Sequence, residues 1–320
     1  QTLRLRICAY QSSIVSQALV NFYQRYGDSY AYNLKAGADG SEWRDLDGNT
    51  VTVQESDILR YDQTGAERKY QKVDGENYLY VAGATTVTNE YIVTVGGDGA
   101  TGDTLRNVLE RANAEGGGVI YFDTFSIGGN IIELTQDASM LINANITING
   151  LDGKYNLGPA ITIKAADGAT ITNSIFTVSN ADATFQNLTI QGPDLSGVTD
   201  SKGAAIQISS NTNNSVRLDN VTISGGKAVL GGAIYNAGAM LVLSGGALNG
   251  NSATQGGAVY NASGSLTISN AFLNGNTATA GNGGAIYNQG GAVIVNGGSL
   301  NGNTASSHGG AIYNAGTSVS

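Results

Sequence analysis

The sequence predicts a mainly β protein: a right-handed parallel β-helix, or solenoid, with an N-terminal amphipathic cap helix and a small N-terminal α+β module. Three observations predict the solenoid. A six-residue motif occurs four times at steps of 25, 27 and 26 residues. About three short apolar bursts, each closed by Gly or Asn, recur within each period. Residues 228–320 contain no Asp, Glu, Lys or Arg. Bursts too short for helices, repeated at this period, are typical of strands wound into stacked coils.

Two motifs alternate along the repeat. Gly-Gly-Ala-Ile-Tyr-Asn, with Val replacing Ile once, occupies residues 231–236, 256–261, 283–288 and 309–314. Leu-Asn-Gly-Asn occupies residues 248–251, 273–276 and 300–303. One coil cannot bury its own apolar side, but stacked coils bury one another, with a spacing of about 4.8 Å. The preference of parallel crossovers for one hand favours right-handed winding.

Stacking predicts columns of equivalent side chains. Aliphatic columns face inward, asparagine columns bond amide to amide at the bends, and tyrosines form a third kind of column whose direction stays open. Like charges repeated at this spacing would repel, which explains their absence. The predicted columns are Ile234, Val259, Ile286 and Ile312; Leu248, Leu273 and Leu300; Tyr235, Tyr260, Tyr287 and Tyr313; Asn236, Asn261, Asn288 and Asn314; and Asn251, Asn276 and Asn303.

A helix over residues 103–115 precedes the first predicted coil. Asp103 stands at its N-cap position, and Gly116 begins the run of three glycines that ends it. One face carries an apolar stripe, formed by Leu105, Val108, Leu109 and Ala112. We expect this helix to cap the first coil, because an open end of a solenoid exposes unpaired strand edges.

Uneven composition divides the chain into three parts. Nine of its 16 basic residues precede residue 75, and ten of its 16 tyrosines lie between Tyr10 and Tyr91. We predict an α+β module over 1–95, as a possible assembly or cap domain, then a connector and cap helix over 96–118. The β-helix follows over 119–320 and is most regular from 228. Strand or helix patterns of the module lie at 3–7, 14–22, 50–53, 78–81 and 91–95, and strand patterns of the looser coils at 119–122, 146–148, 160–163, 175–178, 185–190, 204–208 and 216–218.

Composition argues against several classes of function. A formal net charge of −9 is unfavourable for binding nucleic acid, and no apolar run approaches the ~20 residues of a membrane-spanning helix. With one cysteine, Cys8, the chain has no intrachain disulfide or Cys-rich metal site. Its one histidine, His308, makes a His-based zinc site or a Ser-His-Asp triad improbable, and an exposed loop histidine is the better interpretation. We predict no cofactor, no metal and no catalytic residue.

Charged residues leave an enzymatic alternative open. Parallel β-helices include polysaccharide lyases and glycoside hydrolases, whose sites need clustered carboxylates. The candidate cluster is Asp182, Asp194, Asp200, Lys202, Arg217 and Asp219. We interpret these residues as ordinary solvated charges rather than as a sugar-acting cleft or a weak calcium site. The stretch from Asp98 to Asp103 resembles a phosphate or calcium loop only faintly and is interpreted as a connector.

The repeat resembles a known family. Gly-Gly-Ala-Ile followed by an aromatic residue and Asn, alternating with an apolar-x-x-Asn element, is similar to the GGAI/FxxN repeats of polymorphic outer-membrane proteins. Leu248 and its equivalents stand where that family usually has Phe, and we do not expect autotransport by this chain itself through a C-terminal membrane barrel. Residues 104–113 also resemble the SLRxAIxxAN opening of large secreted bacterial β-helix proteins. The resemblance implies export to the cell surface and a structural or adhesive role without catalytic residues.

These observations together predict a non-enzymatic extracellular or cell-surface rod. Because the chain begins at Gln1, we expect a processed or excised product. Because only residues 315–320 follow the fourth copy of the motif, we expect either further coils or a covering molecule there. Head-to-tail assembly, with residues 1–92 of one copy on the last coil of the next, is one form of this hypothesis. The alternatives are a carbohydrate-binding adhesin that uses the tyrosine column on surface glycans and the polysaccharide-degrading enzyme.

Overall fold

A computed structural model describes residues 70–73, 76–79, 89–152, 160–209 and 214–320. The chain forms two compact units, residues 1–89 and 90–320. In the first unit, strands β1 (Tyr70–Val73) and β2 (Glu76–Leu79) pair antiparallel. The patterns predicted at 3–7, 14–22 and 50–53, together with Cys8, lie outside the described residues.

The second unit is a parallel β-solenoid of about 8 turns, which confirms the predicted solenoid fold. Its described strands form four parallel sheets. Sheet A contains β3 (Glu90–Val93), β4 (Gly117–Phe122), β7 (Asn145–Asp152), β10 (Ala183–Gln186), β13 (Ser215–Asp219), β17 (Met240–Ser244), β21 (Ser265–Ser269), β24 (Ala292–Asn296) and β27 (Ser318–Val319). Sheet B contains β5 (Ile131–Leu134), β8 (Ile161–Ala165), β11 (Leu188–Gln191), β14 (Thr222–Ser224) and β18 (Ala247–Asn249).

The remaining two sheets complete each turn. Sheet C contains β6 (Met140–Ile142), β9 (Phe176–Ser179), β12 (Ile206–Ser209), β16 (Ile234–Asn236), β20 (Val259–Asn261), β23 (Ile286–Asn288) and β26 (Ile312–Asn314). Sheet D contains β15 (Lys227–Leu230), β19 (Ser252–Gln255), β22 (Thr277–Ala278) and β25 (Thr304–Ala305). From β13 to β20 the chain passes through sheets A, B, D and C in each turn, and in the following turns isolated bridges at Phe272 and Ser299 continue sheet B.

Alternation along the strands builds the core. Side chains of successive strand residues point to opposite faces, and one face of every sheet lines the interior. In sheet A, Ile148, Phe185, Leu218, Leu243 and Ile268 stack in register, and none is more than 1% exposed. Each turn therefore buries its apolar residues against those of the turns above and below.

Sheet D was not anticipated from the sequence. Three apolar bursts per period were expected, but a fourth strand follows the Leu-Asn-Gly-Asn motif, as β19 does after Asn251. Its short sequences, such as Ser-Ala-Thr-Gln, carry a single inward residue, here Ala253, which is 2% exposed. A strand with one small apolar residue produces almost no hydrophobic signal, so only its pairing reveals it.

One predicted burst proves to be two strands. Residues 185–190 fall in β10 and β11, which lie in different sheets. Asn187 between them has a φ of 52°, in the left-handed region that Asn tolerates better than other residues with a Cβ atom. This single residue turns the chain from sheet A into sheet B.

The solenoid begins earlier than the predicted residue 119. Strand β3, which falls on the pattern assigned to the N-terminal module at 91–95, pairs parallel with β4 in sheet A. Helix α1 (Leu105–Ala114) follows, and its N-cap is Thr104 rather than Asp103, because the Thr104 side chain accepts the hydrogen bond from Asn107 N. A short helix, α2 (Thr124–Ile127), connects β4 to β5.

Close backbone stacking at the Gly-Gly corners predicts a sharp response to substitution. A Cβ atom on Gly257 would lie 2.1 Å from Gly284 O and 2.6 Å from Thr277 N, both backbone atoms of the next turn. We expect Gly257→Ala to lower the free energy of unfolding by about 1–3 kcal/mol, because the added methyl group overpacks the corner. Urea denaturation measures this change.

Gly99→Ala is the matched control, since nothing lies within 4 Å of its added Cβ and its φ is not positive. Equal unfolding midpoints for the two variants would contradict the stacking geometry.

Candidate functional site

The four copies of the Tyr-Asn motif lie directly above one another in sheet C. Strands β16, β20, β23 and β26 pair in register, so that Ile, Tyr and Asn each meet the equivalent residue of the next turn. The aliphatic members point into the core: Ile234, Val259 and Ile286 are fully buried, and Ile312 on the last turn packs against the core while partly exposed. The sheet thus sorts the motif into one inward column and one outward column, with asparagines at the following bend.

The first asparagine column is a directional hydrogen-bond ladder. Asn236 Nδ2 donates to Asn261 Oδ1 at 2.8 Å, Asn261 Nδ2 to Asn288 Oδ1 at 2.8 Å, and Asn288 Nδ2 to Asn314 Oδ1 at 2.6 Å. The second amide proton bonds nearby backbone carbonyls, such as Gly290 O at 2.8 Å from Asn261. The first three asparagines are 0% exposed, so the ladder satisfies polar groups that burial would otherwise leave unpaired.

The second asparagine column works in the same way at the corner between sheets B and D. Asn251 Nδ2 donates to Asn276 Oδ1 at 3.2 Å, and Asn276 Nδ2 donates to Asn303 Oδ1 at 3.0 Å. The Leu248 and Leu273 side chains of the neighbouring column are buried, and Leu300 packs against the core.

The tyrosine column points outward from sheet C, and its rings stack on each other. Successive ring centroids lie 5.6, 4.8 and 5.1 Å apart, with interplanar angles of 13°, 3° and 30°. Tyr260 is only 7% exposed, and burial together with the neighbouring phenols raises its pKa. The Lys202 ammonium lies 5.1 Å from the Tyr235 ring centroid and covers the first face. Because sugars stack on ring faces, the interior tyrosines have no free face to offer a glycan.

Helix α1 covers the first edge of sheet C. Its predicted stripe is buried, with Leu105, Val108 and Ala112 at 0% exposure and Leu109 at 1%. Asn113 reaches the edge strand β6: its Nδ2 donates to Leu141 O at 2.7 Å, and its Oδ1 accepts from Asn143 N at 3.0 Å. The amide therefore takes the place of a neighbouring strand on this edge.

Asp98 fastens the connector to this cap. Its carboxylate accepts from Arg106 Nη2 at 3.2 Å, Thr135 N at 2.8 Å, Thr135 Oγ1 at 2.7 Å and Gln136 N at 3.1 Å. Its side chain is 0% exposed and that of Arg106 is 9% exposed. Burial alone would raise the pKa of Asp98, but the hydrogen bonds from Thr135, Gln136 and Arg106 outweigh it and lower the pKa. We call this group of contacts the Asp98 clip: the buried carboxylate is held by protein donors and serves the structure rather than a bound phosphate or calcium ion.

The six charged residues of the predicted cleft do not come together. Asp182, Arg217 and Asp219 lie along sheet A, where Asp182 accepts from Ser215 N at 2.7 Å and Arg217 pairs with Asp219 at 2.6 Å. Asp200 and the two other members lie in the loop between β11 and β12. Nowhere in the described residues do three His, Cys, Asp or Glu side chains gather as a metal ion would require.

That loop, residues 192–205, covers the first edge of sheet D. Leu195 N donates to Lys227 O at 2.8 Å, and Val229 N donates to Ser201 O at 3.2 Å. Asp194 pairs with Lys227 at 2.6 Å, and this hydrogen bond, followed by those from Ser196, lowers the pKa of Asp194 to about 2. The charges of the loop therefore hold an edge-covering segment in place.

A third asparagine ladder was not predicted from the sequence. Asn220 Nδ2 donates to Asn187 Oδ1 at 3.1 Å, and Asn187 Nδ2 donates to Asn149 Oδ1 at 3.4 Å. Its signal is Asn followed by an apolar residue and Thr, which occurs at 187–189 and 220–222. His308 is exposed, and its Nδ1 lies 2.7 Å from Ser307 Oγ.

The sequence matches no protein-family model, no curated protein and no solved structure. Among the described residues, no helix is both long enough and apolar enough to cross a lipid bilayer.

The asparagine ladder predicts that removing one buried amide lowers the free energy of unfolding by a large amount. Asn261→Ala removes the acceptor of Asn236 Nδ2 and the donor to Asn288 Oδ1 and Gly290 O. We expect the free energy of unfolding to fall by about 3 kcal/mol, because buried polar groups lose their partners. Asn296→Ala, at an exposed position of sheet A, is the control and should change it by less than about 0.5 kcal/mol.

The Asp98 clip predicts a stability that depends on pH. Asp98→Asn leaves the buried Arg106 charge uncompensated, and we expect a loss of about 3–5 kcal/mol at neutral pH. Since the folded-state pKa lies below the ordinary value of 3.8, the contribution is present above that pH and is lost as the pH falls through the folded-state pKa. Urea unfolding across this range should show the two proteins converging in acid.

Asp103→Asn provides the comparison, because its ion pair with Arg111 is exposed at 45% and 39%. We expect a change within about 1 kcal/mol. A similar loss in both variants would contradict the role assigned to Asp98.

Proposed function

We propose that this protein is a non-enzymatic structural protein of the extracellular space or bacterial cell surface, a stiff right-handed β-helical rod. The observation that carries the proposal is the use of its polar side chains. Over residues 228–320 the chain has no charged side chain, and its buried amides bond to one another along the rod axis. Groups consumed by ladders are not available for chemistry on a substrate.

Regular hydrogen-bonded turns support a mechanical role. At about 4.8 Å per turn, the turns of the solenoid extend to roughly 40 Å, with backbone hydrogen bonds parallel to the long axis. Two ladders of largely buried asparagines reinforce the same direction. A structure of this kind resists bending and separates whatever lies at its two ends. Its location at the cell surface rests on the resemblance of the repeat to exported β-helices.

Head-to-tail assembly is a further part of the proposal. In this arrangement residues 1–92 of one copy cover the last turn of the next copy, where β25, β26 and β27 are the final strands of their sheets. Such a contact is heterologous and does not close on itself, which produces filaments.

The two remaining functions have less support. A glycan-binding adhesin would need open tyrosine faces, and stacking covers those of Tyr260 and Tyr287. A lyase or hydrolase would need converging carboxylates, and those at 182–219 are divided between sheet A and the loop 192–205.

Two measurements on the whole chain test the proposal. Incubation with a panel of neutral and acidic polysaccharides should release no reducing ends or unsaturated sugars, because the candidate carboxylates at 182–219 are divided between sheet A and the loop 192–205. Negative-stain microscopy and sedimentation at rising concentration should show unbranched rods that lengthen.

Sugar release by the whole chain that is lost in Asp219→Asn would overturn the non-enzymatic role. Monodisperse short rods at every concentration would overturn head-to-tail assembly alone and leave the structural role standing.

A further inference from the structure

One outward column of sheet B contains a residue that breaks its pattern. In register along this column lie Thr162, Thr189, Thr222, Ala247, Phe272 and Ser299. None of the others is larger than threonine, whereas Phe272 carries a phenyl ring and is 49% exposed. The core does not require this ring, because the next residue, Leu273, fills the interior position of the same turn. Phe272 is therefore a large apolar group that the fold leaves on the surface.

Small neighbours leave the Phe272 ring uncovered along the rod. Ala247 lies beside it in the preceding turn and Ser299 in the following turn, and neither has a side chain large enough to stack on a phenyl ring. The residues before these two neighbours, Gly246 and Gly298, have no side chain. In the tyrosine column of sheet C, by contrast, successive rings cover one another. The Phe272 ring thus remains open to a ligand.

Two fixed amides lie on the same face of sheet B. Asn249 and Asn274 each follow a member of the column by two residues, which returns the side chain to the same face about 6.6 Å further along the strand. Asn249 Oδ1 accepts from Asn274 N at 2.9 Å. Asn274 Oδ1 accepts from Asn301 N at 2.7 Å and from Ser299 Oγ at 2.9 Å. Within the described part of the chain, neither Nδ2 group donates a hydrogen bond, so both are available as donors.

We propose that Phe272, Asn249 and Asn274 form a binding site for a neutral saccharide. A sugar ring has a face of C–H groups, which packs on an aromatic ring, and a rim of hydroxyl groups, which accept hydrogen bonds from amides. Charged ligands are disfavoured, because residues 228–320 carry no Asp, Glu, Lys or Arg to pair with them. The site is separate from the tyrosine column and does not rest on the proposed structural role.

A single ring and two amides suit a sugar better than a protein partner. A protein interface buries a cluster of large apolar side chains in its centre. Here the ring is surrounded by threonine, alanine and serine in its own column. A saccharide needs one apolar platform and a few oriented hydrogen-bond donors, which is what this face of sheet B provides.

Affinity electrophoresis of the whole chain tests the site. Native gels are cast with one dissolved neutral polysaccharide each, either mixed-linkage β-glucan, galactomannan, arabinoxylan or dextran, and a gel with polygalacturonate provides the charged comparison. We expect at least one neutral polymer to retard the chain, and polygalacturonate to leave its migration unchanged. Retardation as a function of polymer concentration gives the dissociation constant.

Two substitutions test the two parts of the site. We expect Phe272→Ala to raise the dissociation constant for the retarding polymer about tenfold, because the platform for the sugar ring is lost. Asn274→Asp keeps an oxygen that accepts from Asn301 N but replaces the Nδ2 donor with a second oxygen, and binding should weaken in the same direction. Circular dichroism and urea unfolding establish that both variants retain the fold.

Phe125→Ala is the matched control. This ring lies on helix α2, next to the first strand of sheet B, and is 63% exposed, so the variant removes an exposed phenyl ring far from Asn249 and Asn274. Its migration should match that of the unmodified chain in every gel. No retardation by any neutral polymer would overturn the proposal, as would unchanged retardation of Phe272→Ala or Asn274→Asp, or an equal loss in Phe125→Ala.

Discussion

Parallel strands stacked in register bring every side chain of one turn against the equivalent side chain of the next. This constraint decides which residue types the solenoid tolerates. A charge would face a like charge about 4.8 Å away, so residues 228–320 carry no Asp, Glu, Lys or Arg. An amide is both donor and acceptor, so asparagine bonds to a copy of itself, as Asn261 does with Asn288. Phenol rings at the same spacing stack face to face.

Edges of the stack pose the opposite problem, because a first strand has no neighbour on one side. The molecule covers two such edges by different means. Helix α1 and the Asn113 amide cover sheet C, while the loop 192–205 covers sheet D. Buried or paired charges hold these segments in place, as Asp98 and Asp194 show. This explains why charged residues appear in the irregular part of the solenoid. They hold segments that occur once, whereas each residue of the repeat has to be compatible with an equivalent residue in the next turn.

The same stacking bears on the proposed function. Ladders that use the polar groups of residues 228–320 favour a structural role over catalysis. The stability of each turn depends on the turns beside it, in keeping with the one-dimensional character of repeat proteins.

Four copies of one motif at nearly constant spacing were enough to predict the solenoid and the columns over residues 231–314, because only in-register stacking places such residues together. The apolar stripe of helix α1 was equally predictable, because the buried residues of a helix recur with the period of the helix itself. Sheet D, the partner of β3 and the dispersal of the charges at 182–219 were decided by tertiary structure. Sheet D carries too few apolar residues to show a period, and Asn187 divides one apolar burst between two sheets through its backbone conformation. Where the partner of a residue lies a whole turn away and is of a different type, the neighbouring sequence does not predict the contact.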